Sequence, residues 1–279
     1  MGYELISVKP ISPALGAEIS GVDLRQPLGN QAFQEIHDAL MAHQVIFFRD
    51  QDITPDQHVA FGKAFGALQI HPFAPRLDDH PEVLVIENDE ARPSKINQWH
   101  TDVTFMAEPP LGSILHAQEI PEVGGDTMWA SMYLAYEGLS ATMRRMLDGL
   151  IGVHDFTRTF GNRLLHQPDG WEKLQKAKTA YPPAEHPVIR THPETGRKGI
   201  FVNAGFTTSI KDMNRNESEA ILAMLYEHCR KPEYTCRFSW EKHSIAFWDN
   251  RCTQHYPIAD YWPARRRMHR VTVNGDRPH

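Results

Sequence analysis

Cysteine is scarce in this chain: Cys229, Cys236 and Cys252 are the three in 279 residues, and none stands at Cys-x-x-Cys spacing. So few, and an odd number, argue against a disulfide scaffold or a zinc ribbon and fit a reducing compartment, so the cytoplasm is the expected location. No apolar run approaches the roughly 20 residues of a membrane span. The start, Met1-Gly2-Tyr3-Glu4-Leu5, lacks the basic-then-apolar order of a signal peptide, and no membrane partner is expected. Positive charge is not in excess: 29 Lys and Arg against 35 Asp and Glu leave a net charge of −6, which gives no reason to expect a nucleic-acid partner. No Gly-x-Gly-x-x-Gly follows a strand, which disfavours a dinucleotide fold, and no His-Glu-x-x-His occurs, which removes the common zinc-protease pattern.

What is present is turn-forming residues and histidine: 20 Pro, 18 Gly and 16 His. Short apolar or β-branched runs separated by such residues read as strands. They lie at 6–8, 16–22, 44–48, 83–86, 112–117, 128–130, 188–191, 199–202, 235–240, 244–249 and 268–274. Helical spacing is expected from an Asn30 cap, with Phe33, Ile36, His37, Leu40 and Met41 on one face. A second helix should follow the Thr54-Pro55-Asp56-Gln57 capping box, a third should start near Ser140 and bury Met143, Met146, Leu147 and Leu150, and a fourth should span 216–230. Many short strands with a few peripheral helices suggest a mainly β chain, a β-sandwich or jelly-roll barrel, and no domain boundary is visible. Residues 1–279 therefore read as one domain with helical or loop insertions near 71–98 and 156–185.

Chemistry concentrates in Trp99-His100-Thr101-Asp102-Val103-Thr104-Phe105. If this stretch is extended, His100 and Asp102 point to one face, and an imidazole beside a carboxylate suits a divalent first-row metal. A facial triad needs one more distant histidine. His80-Pro81-Glu82 and His192-Pro193-Glu194 read as surface turns because proline sits in the middle of each. His255, after the apolar run Ile245-Ala246-Phe247-Trp248 and a polar turn, is the better candidate. The run Arg265-Arg266-Arg267-Met268-His269-Arg270-Val271-Thr272-Val273 passes directly into strand-like residues. Extended, it puts Arg266, Met268, Arg270 and Thr272 on one face. Two inward guanidiniums demand anions, either two anionic ligands or one dianion.

These stretches occur in order together with Gly124-Gly125-Asp126-Thr127, Thr191-His192-Pro193, Gly199-Ile200-Phe201-Val202-Asn203 and Trp248-Asp249-Asn250. The combination resembles the Fe(II)/2-oxoglutarate-dependent taurine dioxygenase (TauD/TfdA) family over nearly the whole chain. The resemblance implies a double-stranded β-helix (jelly roll) and His100, Asp102 and His255 as iron ligands. It implies that Arg266, eleven residues after His255, clamps the far carboxylate of 2-oxoglutarate with help from the Thr127 hydroxyl. Arg270, His71 and the Val103 N–H would hold the anionic head of a small organic substrate, with Phe160 and Phe206 lining its pocket. The reaction implied consumes O₂ and 2-oxoglutarate, hydroxylates the carbon next to sulfur of an organosulfonate, and releases sulfite and aldehyde with succinate and CO₂. A homo-oligomer, dimer or tetramer, is the expected assembly.

Two positions depart from the taurine-cleaving pattern: Ala74 and Ile96 stand where those members carry a tyrosine and an asparagine near the substrate's amine. Thr159 for serine is a milder change. Losing a phenol and an amide removes partners for a buried ammonium, so an apolar or larger tail is expected. That extends the candidates to longer alkyl- or arylsulfonates, sulfate esters and aryloxyalkanoate carboxylates. A zinc hydrolase with the same ligands would leave Arg266 and Arg270 unexplained, and a non-enzymatic jelly-roll binding module would need no ferrous site.

Overall fold

The computed structural model describes residues 2–94 and 96–279. Its strands are β1 (Ser7–Pro10), β2 (Ala17–Ser20), β3 (Val45–Phe48), β4 (Leu84–Asn88), β5 (Gly112–Glu119), β6 (Thr127–Ser131), β7 (Ile151–His154), β8 (Ala184–Pro187), β9 (Ile189–Thr191), β10 (Lys198–Ile200), β11 (Thr207–Ile210), β12 (Thr235–Phe238), β13 (Ile245–Asp249), β14 (Thr253–Pro257) and β15 (Arg266–Val273). The helices are α1 (Asn30–His43), α2 (Pro55–Phe65), α3 (Met132–Glu137), α4 (Ala141–Leu147), α5 (Thr157–Leu165), α6 (Gly170–Ala180) and α7 (Arg215–Cys229). No described helix is long and apolar enough to cross a membrane.

The strands are short because turn residues interrupt them, and the central strands β3 and β13 are buried on both faces because both faces are covered. In the seven-stranded sheet, ordered β1-β2-β3-β13-β5-β15-β4, alternation along β3 and β13 sorts the side chains. Val45, Phe47, Ala246 and Trp248 join Trp129, Cys236 and Phe238 from the β12-β6-β14 sheet in one core between the two sheets. Ile46, Phe48, Ile245 and Phe247 point the other way, against Ile36 and Leu40 of α1 and Val59 and Phe61 of α2. Burying each such side chain contributes about 1.5–3 kcal/mol. The two facing sheets make the jelly roll, and α3, α4 and α7 cover its far side through Leu147, Leu222 and Leu225. The stretch 156–185 carries α5, α6 and the start of β8.

The Thr54 capping box forms as read: Thr54 Oγ1 accepts from Gln57 N at 3.3 Å and Thr54 N donates to Gln57 Oε1 at 2.8 Å. Four local expectations are corrected. Gly29, not Asn30, is the cap of α1, and it lends no side-chain bond. Met146 is 45% exposed, since α4 is two turns long and its inward position falls to Leu147. His192 is no surface residue: it is buried, with Nε2 at 2.9 Å from Asp249 Oδ2. Finally, 99–105 is not a strand. Only His100 pairs, with His255, and the chain then turns.

Candidate active site

His100 and His255 face each other across an antiparallel bridge, His100 N donating to His255 O at 3.0 Å and His255 N to His100 O at 2.8 Å. That pairing sets their rings 4.1 Å apart, centroid to centroid. Asp102 reaches the same space by a turn and not by strand alternation. Asn250, in the turn between β13 and β14, takes both backbone groups of Asp102: its Oδ1 accepts from Asp102 N at 2.9 Å and its Nδ2 donates to Asp102 O at 3.1 Å. With its ladder groups taken, the chain cannot continue as a strand, and Val103 adopts φ +41°. One ligand atom each from His100, Asp102 and His255 lies within 4.8 Å of the others.

The protonation states suit a cation. Burial lowers the pKa of both imidazoles, so His100 and His255 are neutral. His100 Nδ1 lies 3.0 Å from the Gln98 carbonyl and donates to it, which leaves the Nε2 lone pair facing Asp102. Burial pushes the Asp102 carboxyl up, but Arg270, His255, His100 and the Ser113 hydroxyl together outweigh it and hold the carboxyl well below its usual range. Ser113 Oγ donates to Asp102 Oδ2 at 2.9 Å, and Arg270 Nη1 donates to Oδ1 at 2.8 Å. Two neutral imidazoles and one carboxylate are the donor set a divalent first-row metal takes.

Strand alternation along β15 holds as read: Arg266 and Arg270 share the inner face with Met268, which sits in the core between the sheets. Arg266 is 5% exposed, and its Nε and Nη2 have no partner among the described residues. Its guanidinium lies 5.8 Å from the ring centres of both Trp240 and Tyr261. Trp240 Nε1 in turn donates to Thr127 Oγ1 at 3.0 Å, so the Thr127 proton remains free to be donated beside Arg266. Gly125, with φ +73°, gives Arg266 its room, because a Cβ there would come within 3.2 Å of Arg266 Cδ. An unpaired buried guanidinium is costly, and a carboxylate fits the demand.

At the other end of the face, His71 Nδ1 accepts from Phe73 N at 3.1 Å, which leaves its proton on Nε2. Burial and then the nearby Arg270 lower the His71 pKa to about 4, so it is a neutral donor. An aromatic wall stands beside it. Phe160 lies 6.1 Å from His71, 5.4 Å from Phe73 and 6.0 Å from Phe206, and Phe105 lies 5.2 Å from Phe206. Phe73, Phe105, Asn250 and Ser113 are the site residues the motif reading passed over. Phe73 and Phe105 lie within stretches already singled out, but which aromatics gather in this cluster depends on the turns. Ala74 and Ile96 stand outside this cluster: Ala74 is half-buried next to Phe73, and Ile96 is 42% exposed.

A second group, His192, Asp249 and Cys252, also gathers three potential ligand atoms. Here Arg251 occupies the carboxylate, with Nε 2.9 Å from Asp249 Oδ1 and Nη2 2.7 Å from Oδ2. Burial, then Asp249, raise the Cys252 thiol well above its usual range. A neutralised carboxylate and a protonated thiol make this a structural network. A cleft of about 230 Å³ beside it, lined by Phe33, His37, Leu40, Glu194 and Arg251, holds none of the triad.

Comparison with known proteins matches nearly the whole chain. The model of the "Taurine catabolism dioxygenase TauD, TfdA family" matches residues 7–272. An alkylsulfatase of Acinetobacter baylyi is 36% identical over 97% of this chain and 86% of its own. An alpha-ketoglutarate-dependent sulfate ester dioxygenase of Pseudomonas putida is 36% identical over 98% of this chain and 91% of its own. The crystal structure of a taurine dioxygenase from Burkholderia xenovorans superposes with a TM-score of 0.84 at 41% identity, covering 99% of this chain and 93% of that one.

Proposed function

The chain belongs to the TauD, TfdA dioxygenase family, whose members use 2-oxoglutarate and O₂, and from that premise we propose that it oxidises a sulfonate or sulfate ester bearing an apolar tail. The single observation that carries the proposal is the inner face of β15. It presents an unpaired Arg266 at one end and Arg270 with His71 at the other, and the triad lies next to Arg270. His100, Asp102 and His255 would hold Fe(II). Iron with bound 2-oxoglutarate and O₂ supplies the oxidising power, and succinate and CO₂ form alongside. Arg266 and Thr127 would orient 2-oxoglutarate by its far carboxylate. Arg270, His71 Nε2–H and Val103 N–H would seat the substrate's anionic head and so present the adjacent carbon to the metal. Phe73, Phe105, Phe160 and Phe206 would exclude water and pack the tail. Hydroxylation of that carbon in a sulfonate breaks the C–S bond to give aldehyde and sulfite. In a sulfate ester it breaks the C–O bond to give aldehyde and sulfate.

The relatives that act on sulfate esters favour an apolar tail, as does the absence of an amide or phenol at Ala74 and Ile96. The test is succinate formation with Fe(II) and 2-oxoglutarate in the presence of hexyl sulfate, pentanesulfonate or taurine, with sulfate and sulfite measured separately. Hexyl sulfate or pentanesulfonate should outpace taurine by about tenfold or more, the equivalent of roughly 1.4 kcal/mol. Taurine as the preferred substrate would overturn the tail assignment, and no stimulation by any of the three would overturn the substrate class. The same reading makes the protein a cytoplasmic dimer or tetramer with three reduced cysteines, all of them buried and free here. Sedimentation equilibrium checks the assembly.

A further inference from the structure

Val103 is β-branched, 3% exposed and held at φ +41°, a left-handed conformation that such residues avoid. Its N–H, buried in the turn after Asp102, donates to no acceptor among the described residues. A strained residue with a buried free donor persists only where its surroundings over-determine it. On the Asp102 side the restraint is Asn250. On the other side it is a network that neither the iron ligands nor the anion donors explain.

Thr104 Oγ1 accepts from Asn203 Nδ2 at 3.0 Å and is hydrogen-bonded to His154 Nδ1 at 2.9 Å. His186 Nε2 donates to the carbonyls of Thr104 at 2.9 Å and Met106 at 3.0 Å. Asn203 is itself fixed: its N donates to Thr207 Oγ1 at 2.9 Å, and its Oδ1 accepts from Phe206 N at 3.0 Å. Thr104, His154, His186, Asn203 and Thr207 are all buried, and the strands that carry or flank them, β7, β8 and β11, form a separate sheet, ordered β11-β7-β8.

We propose that Thr104, Asn203 and His154 form a positioning clamp that aims the Val103 N–H into the anion seat and sets Phe206 against the tail. One amide, Asn203, reaches both: its nitrogen holds the turn through Thr104, and its oxygen holds the backbone of Phe206. The third sheet is thereby rigidly tied to the metal loop, so head and tail recognition share a single support. These are positioning residues, acting through Val103 and Phe206. The inference rests on the substrate reading given above.

Thr104→Val removes the hydroxyl at nearly constant volume, and Thr104→Ser retains it. With hexyl sulfate as the probe, Thr104→Val should weaken calorimetric binding to the anaerobic Fe(II)- and 2-oxoglutarate-loaded protein by roughly fivefold or more. It should raise KM by a similar factor and lower the aldehyde formed per succinate, whereas Thr104→Ser should restore all three to within about twofold. A purely structural hydroxyl would instead lower Tm and leave binding and the aldehyde-to-succinate ratio unchanged, which would overturn the clamp. Should Thr104→Val fail to fold, Thr104→Ala, which drops the same hydroxyl, carries the test: hexyl sulfate binding should weaken by a similar factor, and unchanged binding would overturn the clamp. If the wild type itself binds no hexyl sulfate, the substrate reading fails and the clamp falls with it. If wild type and Thr104→Val bind equally well, the clamp alone fails.

Discussion

At Arg266 the needs of folding and of binding point in opposite directions. The guanidinium is buried and two of its nitrogens lack partners, which penalises the folded chain until an anion arrives. Arg266→Met should therefore raise the Tm of the protein without cosubstrate, since replacing an unpaired buried charge with an apolar side chain of similar volume is favourable. The same change should raise KM for 2-oxoglutarate roughly ten- to a hundredfold, because a hydrogen bond to a charged group is worth about 1.5–3 kcal/mol. Differential scanning fluorimetry and steady-state kinetics read the two effects, and a fall in Tm without cosubstrate would mean that Arg266 has a structural partner. This residue was legible in the sequence, because alternation along an extended run needs no tertiary information. His100 and Asp102 were legible too, but for a reason that does not hold: the i, i+2 spacing assumed a strand. What joins them is a turn imposed by Asn250 from residues far along the chain, and no local pattern reports such a contact.

The β13–β14 connection, which crosses from the seven-stranded sheet to the β12-β6-β14 sheet, is the element on which the site hangs, since it carries Asn250 in its turn and leads into His255 on β14. Its own support is the Asp249 carboxylate, taken at both oxygens by Arg251 and at one by His192. Burial pushes that carboxyl up, but Arg251 and His192 outweigh it and keep Asp249 ionised. Asp249→Asn would leave Arg251, 5% exposed, with Glu194 as its remaining charged partner. Breaking a buried pair on one side costs about 3–5 kcal/mol. Urea unfolding should show that loss, and iron affinity should fall with it as the β13–β14 connection loosens. A loss under about 1 kcal/mol would assign the pair no more than a surface bridge's worth. This support is not legible in the sequence, where the proline beside His192 signals a surface turn. The turn is there at 193–195, but His192 just before it faces inward to Asp249, and burial of that kind depends on topology.

Across the whole molecule the two facing sheets were readable from short apolar runs between turn residues, while the helix-side face of the large sheet held something composition alone does not show. Three buried histidines gather there. His269 of β15 is the register partner of His116 on β5, and the His58 ring of α2 lies 5.8 Å from that of His116. Burial, with mutual repulsion, lowers His58 to about 3 and His116 to about 4, and burial with the neighbouring Arg267 lowers His269 to about 4. His243 adds a fourth imidazole 6.1 Å from His116, and Asp52, 3.3 Å from His243, is the nearby acid. In the unfolded chain the imidazoles of His58, His116 and His269 titrate near 6.5. As pH falls below that value the unfolded state takes up protons that the folded state refuses until about pH 4. Stability is therefore full above pH 6.5 and declines through the window from 6.5 to 4. Each histidine contributes a slope of at most about 1.4 kcal/mol per pH unit. Urea midpoints should fall steeply between pH 6.5 and 4.5. His269→Leu should flatten the slope by about one proton's worth and leave the site on the opposite face untouched. A pH-independent midpoint across that interval would show the imidazoles titrating as they do in water, with the cluster open to solvent.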